Sequence, residues 1–254
     1  MAETVYDRHA QFYVDFVDRS REAVATRGYD HLLARTEARL GDALAGARIC
    51  DLCCGEGYVG RWLMRRGARE VVGVDLSRGL IEVAKARADS RNLAYFVEDA
   101  ARLDQVPGSP FDVVVCHMGL QDVADHRALF GGVRRVLEPG RPFVFSLLHP
   151  CFMAPCHMAD APPTIAGDDG QPVALSVRRY ATEGYWNSGG DGVRGHMGAH
   201  HRTISTYVND LMSAGFALEA MEELLPNQGP EGPASLEGLF AEIPTVLLIA
   251  ARAI

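Results

Sequence analysis

Two glycines and three carboxylates in the first half of the chain are spaced as an adenosine-bearing ligand would require. The glycines stand in Ile49-Cys50-Asp51-Leu52-Cys53-Cys54-Gly55-Glu56-Gly57-Tyr58, where a short apolar run meets a turn and then a helical pattern. A backbone without Cβ at Gly55 and Gly57 turns tightly and lets a ligand approach. The helix beyond it offers free N–H groups to a carboxylate or another anion. No Gly-Lys-Ser/Thr follows, so this is not a phosphate-cradling P-loop. Cys53 takes the place of the first glycine of a dinucleotide fingerprint, with the acidic Asp51 before it. Asp75 closes the next apolar run about 20 residues on, where a carboxylate accepts hydrogen bonds from both ribose hydroxyls. Its other reading is an acid at a helix N-terminus. Asp99, in Tyr95-Phe96-Val97-Glu98-Asp99-Ala100, is placed to accept from an adenine exocyclic amine.

Other residue types point to an acceptor. His117 and His149 each follow an apolar run, and a neutral imidazole there suits proton abstraction near neutral pH or simply orients its neighbours. His200-His201-Arg202-Thr203 opens a helical segment, so His201 and Arg202 are candidates to face the acceptor. Tyr13, Tyr185 and Trp186 could form an aromatic wall, with core packing as the alternative. Cysteines stand at 50, 53, 54, 116, 151 and 156. A zinc site needs about four ligands, and no second Cys-x-x-Cys pair is present even with His157 nearby. Buried, reduced thiols and no metal are expected.

Positioning these residues falls to an alternation of strands and helices. Residues 6–44 read as two amphipathic helices broken near Gly28, an N-terminal helical cap. Strands follow at 47–53, 71–76, 93–97, 111–116 and 142–148, with helices at 58–67, 77–90 and 125–137. That spacing implies βαβ units and a parallel sheet. Ligands of such sheets collect at the carboxyl ends of the strands, where Cys53 to Gly57, Asp75, Asp99 and His117 all fall. Between 150 and 202 the alternation stops, apart from an isolated strand at 173–180; a stretch that long suggests a lid. A helix at 205–214 and strands at 216–221 and 245–252 close the chain. The expectation is a single domain over 1–254: cap 1–45, cofactor-binding core 46–149, substrate-side insertion 150–204, closing helix and strands 205–254.

The chain of 254 residues is 48% hydrophobic, enough for a substantial core. Its formal net charge of −8 disfavours nucleic acid, and Arg61, Arg65, Arg66 and Arg69 share one predicted helix with acids nearby. No apolar run approaches the roughly 18 residues of a membrane span, and the first residues lack signal-peptide character. A cytoplasmic protein without a membrane partner is expected.

The succession D-L-C-C-G-E-G, V-G-V-D-L-S, V-E-D-A, F-D-V-V-V-C-H-M-G-L-Q-D-V and V-L-E-P-G-R-P-F-V-F-S resembles the class I S-adenosylmethionine-dependent methyltransferases. It is most similar to their small-molecule branch, which includes the ubiquinone and menaquinone biosynthesis type, over residues 48–148. The resemblance implies a Rossmann-like α/β fold, doubly wound, with a mostly parallel seven-stranded sheet whose last strand is antiparallel. It implies S-adenosyl-L-methionine as cofactor and S-adenosyl-L-homocysteine as product. Cys53, Gly55 and Gly57 would lie under the methionine and ribose, Asp75 would hold the ribose diol, and Leu76 would flank the adenine. Asp99 and Ala100 would read the adenine edge, and the His117 backbone would approach the methionine end. Two departures stand out: Cys53 for the usual first glycine, and Arg141 for the second glycine of a common P-G-G. The implied activity is methyl transfer to an O, C or N atom of a small-molecule acceptor, with a place in secondary metabolism and a monomer or homodimer as expectations. The alternatives are a non-methylating cyclase-like enzyme on the same fold and a nicotinamide-dependent oxidoreductase, which the absent G-x-G-x-x-G spacing disfavours. No N-P-P-Y or D-P-P-Y signature of a nucleic-acid or protein acceptor stands after strand four.

Overall fold

A computed structural model describes residues 3–22, 27–103, 106–153, 164–170, 172–225, 228–229, 232–233 and 243–254. Cys156 and His157 lie outside the described residues. The N-terminal cap is built of α1 (Val5–Arg8), α2 (Ala10–Glu22) and α3 (Arg27–Leu40). Two helices with a break near Gly28 were expected, but Gly28 lies inside the first turn of α3, where a glycine is tolerated. The core then alternates β1 (Arg48–Leu52), α4 (Tyr58–Arg65), β2 (Glu70–Asp75), α5 (Arg78–Ala86), β3 (Leu93–Val97), β4 (Val113–His117), α6 (His126–Val136) and β5 (Pro142–Leu148). The insertion holds β6 (Thr164–Ala166), β7 (Pro172–Leu175), β8 (Gly184–Trp186), α7 (Val193–His196) and β9 (Ala199–His201). The chain closes with α8 (Ile204–Ser213), β10 (Phe216–Leu224), the short β11 (Gln228–Gly229) and β12 (Gly232–Pro233), and β13 (Val246–Ala253).

Seven strands form one sheet in the order β10-β13-β5-β4-β1-β2-β3. All pairings among β1 to β5 are parallel, while β13 runs antiparallel to both β5 and β10. This is the doubly wound Rossmann-like sheet with an antiparallel last strand. Its order reverses between β1 and β4, and the crevice at that switch point is where such sheets bind ligands.

The strands form because β1, β2, β4 and β5 are almost wholly apolar, as strands covered on both faces must be. One face packs Phe130, Phe143, Phe145, Tyr207 and Phe216 under α6 and α8. The other packs Leu32, Leu33, Trp62, Leu63 and Ile81 under α3, α4 and α5. Each such side chain contributes roughly 1.5–3 kcal/mol on leaving water. Polar caps fix where helices begin: Ser77 Oγ accepts from the Leu80 amide at 3.2 Å and Asp125 Oδ1 from Ala128 at 2.9 Å. The arginines in and after α4 are neutralised locally. Arg61 pairs with Glu56, Arg65 with Asp89, Arg66 with Glu37 and Arg69 with Asp112.

The insertion corrects the expectation of one isolated strand at 173–180. β7 ends at Leu175 and pairs with β6 as a hairpin, while β8 and β9 form a second hairpin with α7 between them. Short strands of this kind, broken by glycines, carry too few periodic residues to show in sequence.

Candidate active site

The turn after β1 carries its strain in three consecutive odd positions: Cys53, Gly55 and Gly57 have φ of 53°, 55° and 83°. Left-handed backbone suits glycine and costs a residue with a Cβ, so Cys53 is the strained member. Asp75 pins the turn to the end of β2. Its Oδ2 accepts from the Gly55 amide and its Oδ1 from the Ser77 amide, each at 2.9 Å. Burial pushes the Asp75 carboxyl up to about 6, against those two hydrogen bonds. Gly57 is required by packing as well as by φ, because a Cβ there would run into the Tyr95 ring. The Tyr95 hydroxyl donates to Gly57 O at 2.8 Å.

A cavity of about 510 Å³ opens beside this turn. Tyr13, Phe16 and Val17 of α2 and Tyr29 of α3 roof it, and Asp51, Cys53, Cys54 and Glu56 form its floor. His117 and Met118 line it beyond β4, Leu148 and Met153 at and beyond β5, and Trp186 and Arg194 from the insertion. The two ionisable floor residues differ. Glu56 is paired with Arg61 at 2.7 Å and Arg87 at 3.0 Å. Asp51 leaves Oδ2 buried without a partner, and burial pushes its carboxyl up to about 8 against a hydrogen bond from the Gly60 amide.

The roof is tied down at three points. Asp7 accepts from Ser77 Oγ at 2.7 Å and the Gly79 amide at 3.0 Å. Burial raises its pKa, but these bonds and those from Thr4 outweigh it and hold the carboxyl well below the usual range. Arg87, capping the C-terminus of α5, holds Asp18 on α2 through bonds of 3.0 and 2.7 Å. Asp122, half-buried beyond β4, faces the Tyr6 hydroxyl and is ion-paired with Arg194. One carboxylate thus joins the N-terminal helices to the insertion.

The predicted acceptor-side residues are not all brought together. His117 lines the cavity, yet both ring nitrogens are engaged: Nδ1 lies 3.0 Å from Ser146 Oγ and Nε2 3.3 Å from Thr36 Oγ1. Thr36 gives its proton to Leu32 O at 2.9 Å, so Nε2 is the donor and Nδ1 accepts from Ser146. Burial pushes His117 down to about 4, leaving a neutral ring. His149 is fully buried away from the cavity lining, its Nε2 2.8 Å from Glu223 Oε1 and its Nδ1 accepting from the Cys151 amide at 3.2 Å. His201 Nε2 bonds Tyr180 O at 2.8 Å, and Arg202 Nη2 bonds Val123 O at 2.9 Å and Ala124 O at 2.6 Å. Arg202 thus fastens the end of the insertion to the segment after β4, His201 ties two parts of the insertion to each other, and His149 meets β10; Tyr13 and Trp186 are the predicted wall residues that reach the cavity. At the open side of the site, Leu76 is exposed, Ala100 is buried, and Asp99 Oδ1 accepts from the Ala101 amide at 2.9 Å. Among the described residues, no cluster of three or more His, Cys, Asp or Glu is arranged to hold a metal ion.

Residues 49–140 match the family model described as a methyltransferase domain. The solved S-adenosylmethionine-dependent methyltransferase of Mesorhizobium loti is 32% identical, with a TM-score of 0.70 over 86% of this chain and 96% of that one. The chain belongs to the S-adenosylmethionine-dependent methyltransferases. A demethylmenaquinone methyltransferase of Lactococcus lactis is 32% identical to this methyltransferase, over 48% of this chain and 50% of its own. A [4+2]-cyclase is 17% identical with a TM-score of 0.58, a likeness of fold alone. S-adenosyl-L-methionine is the methyltransferase's cofactor.

Tyr29, Tyr58, Met153 and Arg194 also line the methyltransferase's cavity, with Asp122 paired to Arg194 behind them, and none of these stood among the residues expected at the site. Asp51 alone had a signal, an acid where the turn's strand ends.

Proposed function

We propose that this protein transfers the methyl group of S-adenosyl-L-methionine to an oxygen, nitrogen or carbon atom of a small, largely apolar acceptor. The observation that carries this reading is the 510 Å³ cavity, roofed by Tyr13, Phe16 and Tyr29 and walled by Trp186 and Met153, beginning at the glycine turn. Cavities of this size suit a metabolite. No helix among the described residues is long and apolar enough to cross a membrane.

The residues present fit the cofactor. Asp75 closes β2 with a carboxylate that has lone pairs left for the ribose hydroxyls, and Leu76 and Asp99 flank the adenine position. Asp51 offers an unpartnered carboxylate oxygen at the cavity floor, which suits the cationic methionine end. When bound, the cofactor would supply a methyl carbon activated by its sulfonium, open to in-line attack by the acceptor with the thioether of S-adenosyl-L-homocysteine as leaving group. The chain's work is then positioning and exclusion of water. The Tyr13 ring lies over the turn, within 3.7 Å of where a Cβ on Gly55 would stand. Trp186 and Met118 narrow the approach from the opposite side. His117, with both nitrogens engaged, orients the end of β4, so the acceptor attacks with its own lone pair and any proton on the attacking atom leaves to solvent.

Calorimetry with S-adenosyl-L-homocysteine tests the cofactor site, with micromolar-range affinity expected. Incubation of S-adenosyl-L-methionine with a library of apolar metabolites tests transfer. Homocysteine-product formation only with acidic peptides or nucleic acid would overturn the acceptor class.

A further inference from the structure

Beside the main cavity lies a second, far smaller one of about 10 Å³, walled by Gln121, Leu148, Trp186 and Tyr207 among others. Gln121 and Trp186 are 3% and 5% exposed, and each leaves one polar atom buried with no partner: Gln121 Oε1 and Trp186 Nε1. Gln121's amide orientation is fixed, because Nε2 donates to Met118 O, where a flipped amide would set oxygen against oxygen. So the residues lining this pocket bring one orphan acceptor and one orphan donor. Leaving either unsatisfied costs about 1–3 kcal/mol, and native interiors pair nearly all such atoms. A volume of this size is about that of one water oxygen.

We propose that a single water molecule is held in this pocket, accepting from Trp186 Nε1–H and donating to Gln121 Oε1. Gln121 is then a positioning residue. It grips Met118 directly and Trp186 through the water, and both of these line the main cavity, from the core and the insertion respectively. The water fixes the distance between the parts of the cavity lining that the core and the insertion contribute. Its kinetic consequence rests on the acceptor reading above; the water itself does not.

A crystal structure of the ligand-free protein at high resolution should show an ordered oxygen within hydrogen-bond distance of both atoms. In the nitrogen-15 NMR spectrum, one of the chain's two indole signals should exchange slowly and shift in Gln121→Met, while the Trp62 signal stays in place. Gln121→Met should raise the acceptor KM about tenfold with S-adenosyl-L-homocysteine affinity unchanged. Trp186→Phe, which keeps the apolar wall, should remove the oxygen from the density. An empty pocket, a direct contact between the two side chains, or an indole signal indifferent to Gln121→Met would each overturn the inference. The first two readouts use neither cofactor nor acceptor. They can therefore fail while methyl transfer stands, or hold if methyl transfer fails.

Discussion

A Cβ built on Gly119 would overlap the Cβ of Cys53 and stand 3.1 Å from its Sγ. Cys53 is the residue that replaces a glycine in the turn after β1, and it holds φ at 53°. The side chain gained at 53 therefore occupies the room that glycine leaves at 119, on the loop following β4. The loops after β1 and after β4 are packed here as a matched pair.

Gly119→Ala should accordingly destabilise the fold by about 1–3 kcal/mol, the usual cost of overpacking, and weaken S-adenosyl-L-homocysteine binding. Cys53→Gly should be near neutral or mildly stabilising, since it relieves left-handed strain. Combining the two should recover most of the Gly119→Ala loss. Urea unfolding of the four proteins of this cycle measures the coupling, and strictly additive effects would show that the two positions are independent.

Asp51 gives a prediction in pH. Its folded carboxyl sits near 8, well above the ordinary 3.8, because burial disfavours the ion. A raised pKa favours the folded state at low pH, and that contribution is lost as pH rises from about 4 through about 8. Asp51→Asn removes the titration, so the stability of the variant relative to the parent should climb across the same window. Binding a cationic cofactor end should ionise Asp51 and release a proton near pH 7. Calorimetry in buffers of different ionisation enthalpy would detect that release, and equal release from Asp51→Asn would assign the proton elsewhere.

Asp122 anchors both parts of the cover, Tyr6 from the N-terminal helices and Arg194 from the insertion. Asp122→Ala leaves the mostly buried Arg194 without its carboxylate, which typically costs about 3–5 kcal/mol. The cover should loosen before the sheet does. Dissociation of S-adenosyl-L-homocysteine should quicken at least tenfold, and amide exchange should rise in α1, α2 and α7 while β1 and β4 stay protected. Unchanged exchange in α1 and α2 would detach the cap from this anchor.

How far sequence could see follows from the same residues. The sheet was legible because runs such as Val113 to Cys116 or Phe143 to Phe145 are apolar without interruption and the strands are separated by capped helices. Asp75 was legible because a single acid ends such a run. The cover was not legible. Arg194 and Asp122 are 72 positions apart, and Asp18 meets Arg87 across 69, so nothing local marks either pair. His149, His201 and Arg202 misled because a polar residue after a strand looks the same whether it faces a ligand or ties down a loop. Burial and partners decide between those, and both are tertiary properties.

The same ambiguity makes His117 the most useful residue to test. Its position after β4 suits a base, but Ser146 donates to Nδ1 and Nε2–H donates to Thr36, and burial pushes the ring down to about 4. A base of that kind would have to break a buried hydrogen bond to take a proton. His117→Ala should therefore act chiefly on stability, leaving Ser146 Oγ with no ring nitrogen to donate to, at about 1–3 kcal/mol. At a temperature where the variant stays folded, kcat should fall by less than about tenfold. A general base contributes typically 10²–10⁴-fold, so a kcat loss in that range with intact S-adenosyl-L-homocysteine affinity would return His117 to the chemistry. The parent's pH profile provides the second check. With His117 neutral throughout, kcat should show no step from this residue between pH 5.5 and 8, and a step there that disappears in His117→Ala would contradict the assignment.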